Sequence, residues 1–269
     1  MFAALTGRSG HGLARHLARF LMNRFRSARP LRRALVLAHE PQGTSALVGE
    51  RLAQRGFDVH EHVVTEDLDR PNHAVPFPDL AEYDVLVPMG SIRSLTNTDE
   101  IDSWIFEEIE MVRAAYAGGV PMLGVCFGGQ LLAAALGGSV EQAPVPEIGW
   151  YEIREPGGSP NGARNPLGPG PWFQWHHDRF TPPPGAEILA VNENAVQLFR
   201  LGRCVGTQFH PEVTYAHVED FLTGADDEYL AEHGLSRGEL LESLRQHEDR
   251  NAHQCAALVD WFLDNVAQS

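Results

Sequence analysis

Lysine is absent from this chain of 269 residues, and the whole basic complement of 21 side chains is arginine. That bias reads as GC-rich codon usage, not as mechanism. Basic charge is scarce overall: 36 carboxylates leave a formal net charge of -15. A protein that binds a polyanion needs a basic face, so no nucleic-acid partner is expected. Cysteine is sparse as well. Cys126, Cys204 and Cys255 make no disulfide framework, and with no secretory cleavage signal in view a reducing cytoplasm is the expected compartment. No apolar run approaches the roughly 20 residues that a membrane-spanning helix needs, so no membrane partner is expected either. Missing too are G-x-x-x-x-G-K-[ST] and G-x-G-x-x-G, and no H-x-x-x-H or C-x-x-C pair stands on a recognisable element. Neither a nucleotide site, a metal nor any other cofactor is expected.

What is present is a globular composition, 43% hydrophobic and 21% charged, long enough to bury a sizeable core. Residues 1–30 stand apart as a basic extension, part of a stretch to Arg33 with eight arginines and no Asp or Glu. Leu13, Leu17, Phe20, Leu21 and Phe25 recur there at helical spacing. This amphipathic arm reads as a dispensable extension, a partner-docking helix or a transit segment. From Arg33 the pattern alternates. "RALVLAHE", "FDVHEHVV", "YDVLVPMG" and "VPMLGV" read as strands. "TSALVGERLAQRG", with Thr44 or Ser45 as N-cap, and "DEIDSWIFEEIEMVRAAYAGG" read as helices between them. Such alternation predicts an α/β fold, an open and mostly parallel sheet with helices on both faces and the active site at the carboxyl ends of its strands. Shorter strands follow in "PEIGWYEIRE", "PWFQWHH", "AEILAVNEN", "AVQLFRLG" and "CVGTQFHP". "REPGGSPNGARNPLGPGP" reads as a surface loop, and residues 223–269 as a helical extension packed on the domain.

In "GVCFGGQLLAAAL" the pattern G-x-C-x-G closes the fourth strand and opens a helix, the setting of a nucleophile elbow. Glycines permit the tight turn, and unpaired N–H groups at the helix start favour a thiolate and can donate to a developing oxyanion. Cys126 therefore reads as a nucleophile. Cys204 and Cys255 read as small buried hydrophobes. A thiolate needs a base held by a third group. "GTQFHPEVTY" offers His210 at a strand end, with Glu212 two residues on and pointing the same way if the backbone is extended. The carboxylate would then fix the imidazole tautomer and stabilise the imidazolium.

"GVCFGGQ" followed about eighty residues later by "QFHPE" resembles the class I glutamine amidotransferases. The resemblance runs from about Leu31 to about Leu222, and "EIGWYEI" and "FQWHHD" are similar to segments of the stand-alone, GMP-synthase-like members. It implies a three-layer flavodoxin-like fold over residues 31–222. It also implies a Cys126-His210-Glu212 triad acting on glutamine through a γ-glutamyl thioester, with the backbone N–H groups of Gly90 and Phe127 as oxyanion hole. Gln130 occupies the family position that contacts glutamine, and Trp175, His176 and Asp178 lie in the segment that matches the stretch flanking the family's glutamine pocket, so the resemblance implies substrate binding at all four. One departure stands out: Met89-Gly90-Ser91 replaces a common Gly-Gly-Pro.

Three functions follow as expectations. The first is a glutaminase supplying ammonia to a separate acceptor synthetase. The second is a γ-glutamyl hydrolase that uses the same triad on γ-glutamyl amine conjugates. The third is a non-catalytic regulatory module that keeps the fold.

Overall fold

The computed structural model describes residues 31–157, 165–168, 170–223 and 227–268. The amphipathic arm and the centre of the Pro/Gly-rich loop lie outside them. Seven strands form one sheet in the order β2-β1-β3-β4-β9-β8-β7, built from β1 (Arg32–Ala38), β2 (Phe57–Val63), β3 (Val85–Pro88), β4 (Met122–Val125), β7 (Glu187–Val191), β8 (Val196–Leu201) and β9 (Cys204–Thr207). The first five in that order are mutually parallel, and β8 runs antiparallel to both β9 and β7. A separate antiparallel pair, β5 (Ser139–Tyr151) and β6 (Trp172–Thr181), flanks the sheet's carboxyl end.

Alternation along β1 sorts the two faces, because successive side chains leave a strand on opposite sides. Leu35 and Leu37 pack with Ile105, Ile109 and Val112 of α2 (Ile105–Ala117) and with Phe127, Leu131 and Leu132 of α3 (Phe127–Ala135). Ala34 and Val36 face the other way, against Val48 and Leu52 of α1 (Ala46–Gln54) and Leu258 and Val259 of α6 (Arg237–Trp261). Burying a leucine completely contributes about 1.5–3 kcal/mol, so these two layers outweigh the Arg51–Asp260 and Arg55–Asp260 ion pairs that also join α1 to α6. Those pairs are a quarter to a third exposed and screened by solvent. A third cluster joins Phe173 of β6 to Val218 and Leu222 of α4 (Tyr215–Thr223), Leu230 of α5 (Asp227–Glu232), and Leu240 and Leu244 of α6.

Several boundaries differ from the sequence reading. Helix α2 begins at Ile105, and residues 99–104 form turns instead of its first turns. Ser45 is the N-cap of α1, but its hydroxyl and amide both donate to Glu61 and cap nothing. Strand β5 starts seven residues before "PEIGWYEIRE", through Pro144 and Pro146. A register shift between Gln142 and Glu147 accommodates the prolines, which a two-stranded ribbon tolerates and a central strand does not. Strand β9 ends at Thr207, so His210 lies beyond it. The extended geometry expected to align His210 with Glu212 is replaced by a turn at Pro211 and Glu212.

Candidate active site

The elbow stands where the sequence puts it, between β4 and α3. Cys126 has φ 50° and ψ -106°, a left-handed backbone that a non-glycine residue holds only when its surroundings over-determine it. Here the surroundings are close-packed backbone. Cys126 N–H donates to Thr207 O at 2.9 Å, and a Cβ on Gly128 would lie 1.9 Å from Pro88 O. The glycine is therefore required by contact with β3 as well as by the turn. Among the described residues neither Gly90 N–H nor Phe127 N–H meets an acceptor.

Three elements fix the turn that carries His210 and Glu212. His210 N–H donates to Phe173 O of β6 at 2.8 Å, and Glu212 O accepts from Leu47 N–H of α1 at 3.3 Å. Asn251, fully buried in α6, donates to both Pro211 O (3.1 Å) and Val213 O (2.8 Å). Within the turn His210 Nδ1 lies 2.7 Å from Glu212 Oε1. His210 Nε2 is buried with no hydrogen-bond partner. Burial alone would lower the basicity of His210. The Glu212 carboxylate and the Cys126 sulfur reverse this and hold the imidazole well above its usual pKa. Burial likewise works against ionised Glu212, but His210 overrides it and keeps the carboxyl below the usual range. The buried Gln208 amide reaches the Cys126 sulfur at 3.8 Å.

All nine residues singled out in the sequence line one cavity of about 560 Å³: Gly90, Cys126, Phe127, Gln130, Trp175, His176, Asp178, His210 and Glu212. Gly90 packs directly against His210 and Cys126, since a Cβ there would sit 3.0 Å from His210 Cε1 and 4.0 Å from Cys126 Cβ. Gln130 Nε2 donates to Asp178 O at 3.1 Å, and the Asp178 carboxylate takes a short hydrogen bond from Ser94. His176 has both ring nitrogens engaged, Nδ1 with Asp178 O and Nε2 with Glu147, each at 3.0 Å. It therefore offers the cavity no free nitrogen. Trp175 presents its carbonyl 3.9 Å from the Cys126 sulfur, and its ring packs edge-on against Phe221 of α4.

Sequence reading missed several residues of this neighbourhood. His39, Glu40 and Glu108 are buried behind the Gly90 segment, and Ser94, Gln208 and Asn251 support the walls. Asn251 sits in the polar run "HEDRNAHQ" with no local signal that it points inward. Among the described residues no three His, Cys, Asp or Glu side chains converge as metal ligands, and no helix is long and apolar enough to cross a membrane.

The family model for glutamine amidotransferase class-I matches residues 45–222. A glutamine-hydrolysing GMP synthase of Thermus thermophilus is 36% identical over 148 residues, which take in 51% of this chain but only 28% of that enzyme's length. A glutamine amidotransferase-like protein of Salmonella typhimurium, YfeJ, is 31% identical over 198 residues, covering 70% of this chain and 80% of its own. Among solved structures, a glutamine amidotransferase from Thermotoga maritima superposes with a TM-score of 0.71 at 23% identity over 88% of this chain and all of its own. One from Methylobacillus flagellatus gives 0.72 at 24% identity over 88% and 96%. At those identities the two structures speak for the fold alone. The family match carries membership, and it runs through both the elbow and the His-Pro-Glu turn: the chain belongs to the class I glutamine amidotransferases, which are cysteine-dependent amide hydrolases.

Proposed function

We propose that the chain hydrolyses the side-chain amide of glutamine with Cys126 as nucleophile, His210 as general base and acid, and Glu212 as the group that orients it. One observation carries the reading. His210 is braced on Nδ1 by Glu212, while its free Nε2 lies at the cavity beside a cysteine seated at a helix N-terminus.

The geometry supports the following steps. The Cys126 thiol gives its proton to His210 Nε2 as sulfur bonds to the amide carbon, and the carbonyl oxygen becomes an oxyanion facing the N–H groups of Gly90 and Phe127. Collapse breaks the carbon–nitrogen bond, and the departing nitrogen takes the proton from His210 and leaves as ammonia. Water then loses a proton to His210 while attacking the thioester. Glutamate departs and the thiol is restored. Gln130, Trp175 and Asp178 would border the glutamyl part, with His176 holding the Asp178 backbone. Ammonia would pass to an acceptor enzyme on a separate polypeptide, a reading supported by GMP synthases among the relatives.

The wall around Trp175 favours a second substrate class. Phe221, Val218 and Tyr229 line the same cavity and give it apolar width that a bare carboxamide does not use, suiting γ-glutamyl amides of larger amines. A screen of the purified protein decides between them: ammonia released from glutamine supports the first, amine released from γ-glutamyl conjugates the second. Cys126→Ala should abolish either, and turnover that persists in that variant overturns the assignment. A wild type inert toward both points to a non-catalytic module.

A further inference from the structure

His39 and Glu40 follow β1 directly, and Glu108 lies on α2; all three are buried. The His39 ring is wedged between Trp104, stacked at 5.7 Å, and the edge of Phe127 at 4.6 Å. Its Nδ1 is 3.1 Å from Gly90 O, and its Nε2 is 3.0 and 3.3 Å from the Glu108 oxygens. A carbonyl oxygen only accepts, so Nδ1 carries a proton in either charge state of the ring. The segment is held on both sides of this point. Met89 O accepts from Gly128 N–H at 3.0 Å. Beyond Gly90, the Ser91 hydroxyl donates to Glu40 Oε1 at 2.6 Å and Ile92 N–H to Glu40 Oε2 at 3.4 Å.

In a trans peptide the N–H and C=O point in opposite directions. Fixing Met89 O therefore fixes where Gly90 N–H points, and fixing Gly90 O locks the next plane. We propose that His39, braced by Glu108, is a positioning residue that holds the Met89–Ser91 peptides in the orientation that stabilises the oxyanion, so that the hole stands assembled in the isolated chain. The inference rests on the glutaminase reading above. Rotating the Gly90–Ser91 peptide would strand a buried Nδ1–H without an acceptor. The charge environment agrees: burial opposes a charged His39, but Glu108 and Glu40 reverse it and raise the ring's pKa.

The test compares His39→Leu, which removes the donor, with His39→Asn, whose amide can place N–H where Nδ1 stands. Rates are normalised to the Cys126 thiols titrated in each preparation, so misfolded protein does not count. Losing an oxyanion donor outright costs about 10²–10³ in kcat, and losing only its anchor should cost about tenfold or more. KM should move less than about threefold, because the effect belongs to the transition state. The γ-aldehyde analogue of glutamine, which adds the thiol to give a tetrahedral oxyanion, should lose affinity by a factor similar to kcat, while the product glutamate keeps its own. His39→Asn should recover most of both losses. Equal weakening of aldehyde and glutamate, or an Asn variant no better than Leu, overturns the proposal. Independently of turnover, the ¹⁵N imidazole spectrum of the wild type should show Nδ1 of His39 protonated and hydrogen-bonded. A bare Nδ1 sinks the anchor even in an active enzyme, whereas an inactive wild type with Nδ1 protonated sinks the glutaminase reading and leaves the anchor standing.

Discussion

Three His–Glu pairs among the described residues, two of them buried and His210–Glu212 largely so, are alike in chemistry and differ in one atom. His210–Glu212, His39–Glu108 and His176–Glu147 are each closed at 2.7–3.0 Å. In the last two the other ring nitrogen is also taken, by Gly90 O and Asp178 O respectively. Of these three, only His210 keeps a buried nitrogen unpartnered, and that nitrogen lies at the cavity with Cys126. A carboxylate beside an imidazole makes a strut when both nitrogens are spent and a base when one is left over.

The contrast can be broken at each pair in turn. His210→Ala should lower kcat by about 10³ or more, since general acid–base catalysis alone is worth about 10²–10⁴. Steady-state kinetics on a folded variant measures it, and a loss under tenfold would mean another group takes the proton. Glu212→Gln should cost less, about 10- to 100-fold, because the amide still orients the ring but no longer stabilises the imidazolium. With the carboxylate gone, burial dominates, so His210 should lose its proton at lower pH than in the wild type. An NMR titration reads the sign, and an upward shift would contradict the assigned role.

Glu108→Gln should mainly destabilise, by about 1–3 kcal/mol for a buried charge-assisted bond weakened. His39 has a folded pKa above its unfolded value of about 6.5. Its stabilising contribution is thus complete below that pH and drains away as pH rises through the folded value. Denaturant titrations at several pH values should show this slope flattened in the variant; an unchanged slope would detach His39 from the effect. The smallest kinetic change is expected from His176→Asn, which keeps a donor toward Asp178 O. Its kcat should shift less than about threefold while the Glu147 side of the network loosens the fold. A fall matching His210→Ala would erase the distinction between strut and base.

The proposed nucleophile and base read out of the sequence for different reasons. Cys126 announces itself through neighbours within three residues, because an elbow is a local event. His210 and Glu212 were found as a pair, but the extended strand invoked to align them is absent, and the turn that does so is held by β6, α1 and α6. Nothing within a few residues encodes those supports. Glu108 sits in "FEEIEM", where three carboxylates look equally solvated until α2 packs and buries one of them completely. The β5 prolines misled for the converse reason: they argue against a strand unless the partner ribbon can slip its register.

The brace that α6 lends to the His-Pro-Glu turn reaches past the stretch that the family model matches. Trimming the protein to residues 45–222 would delete Asn251 and strand two buried carbonyl contacts, those of Pro211 and Val213, on either side of Glu212. The smallest piece able to work is therefore larger than the piece able to be identified.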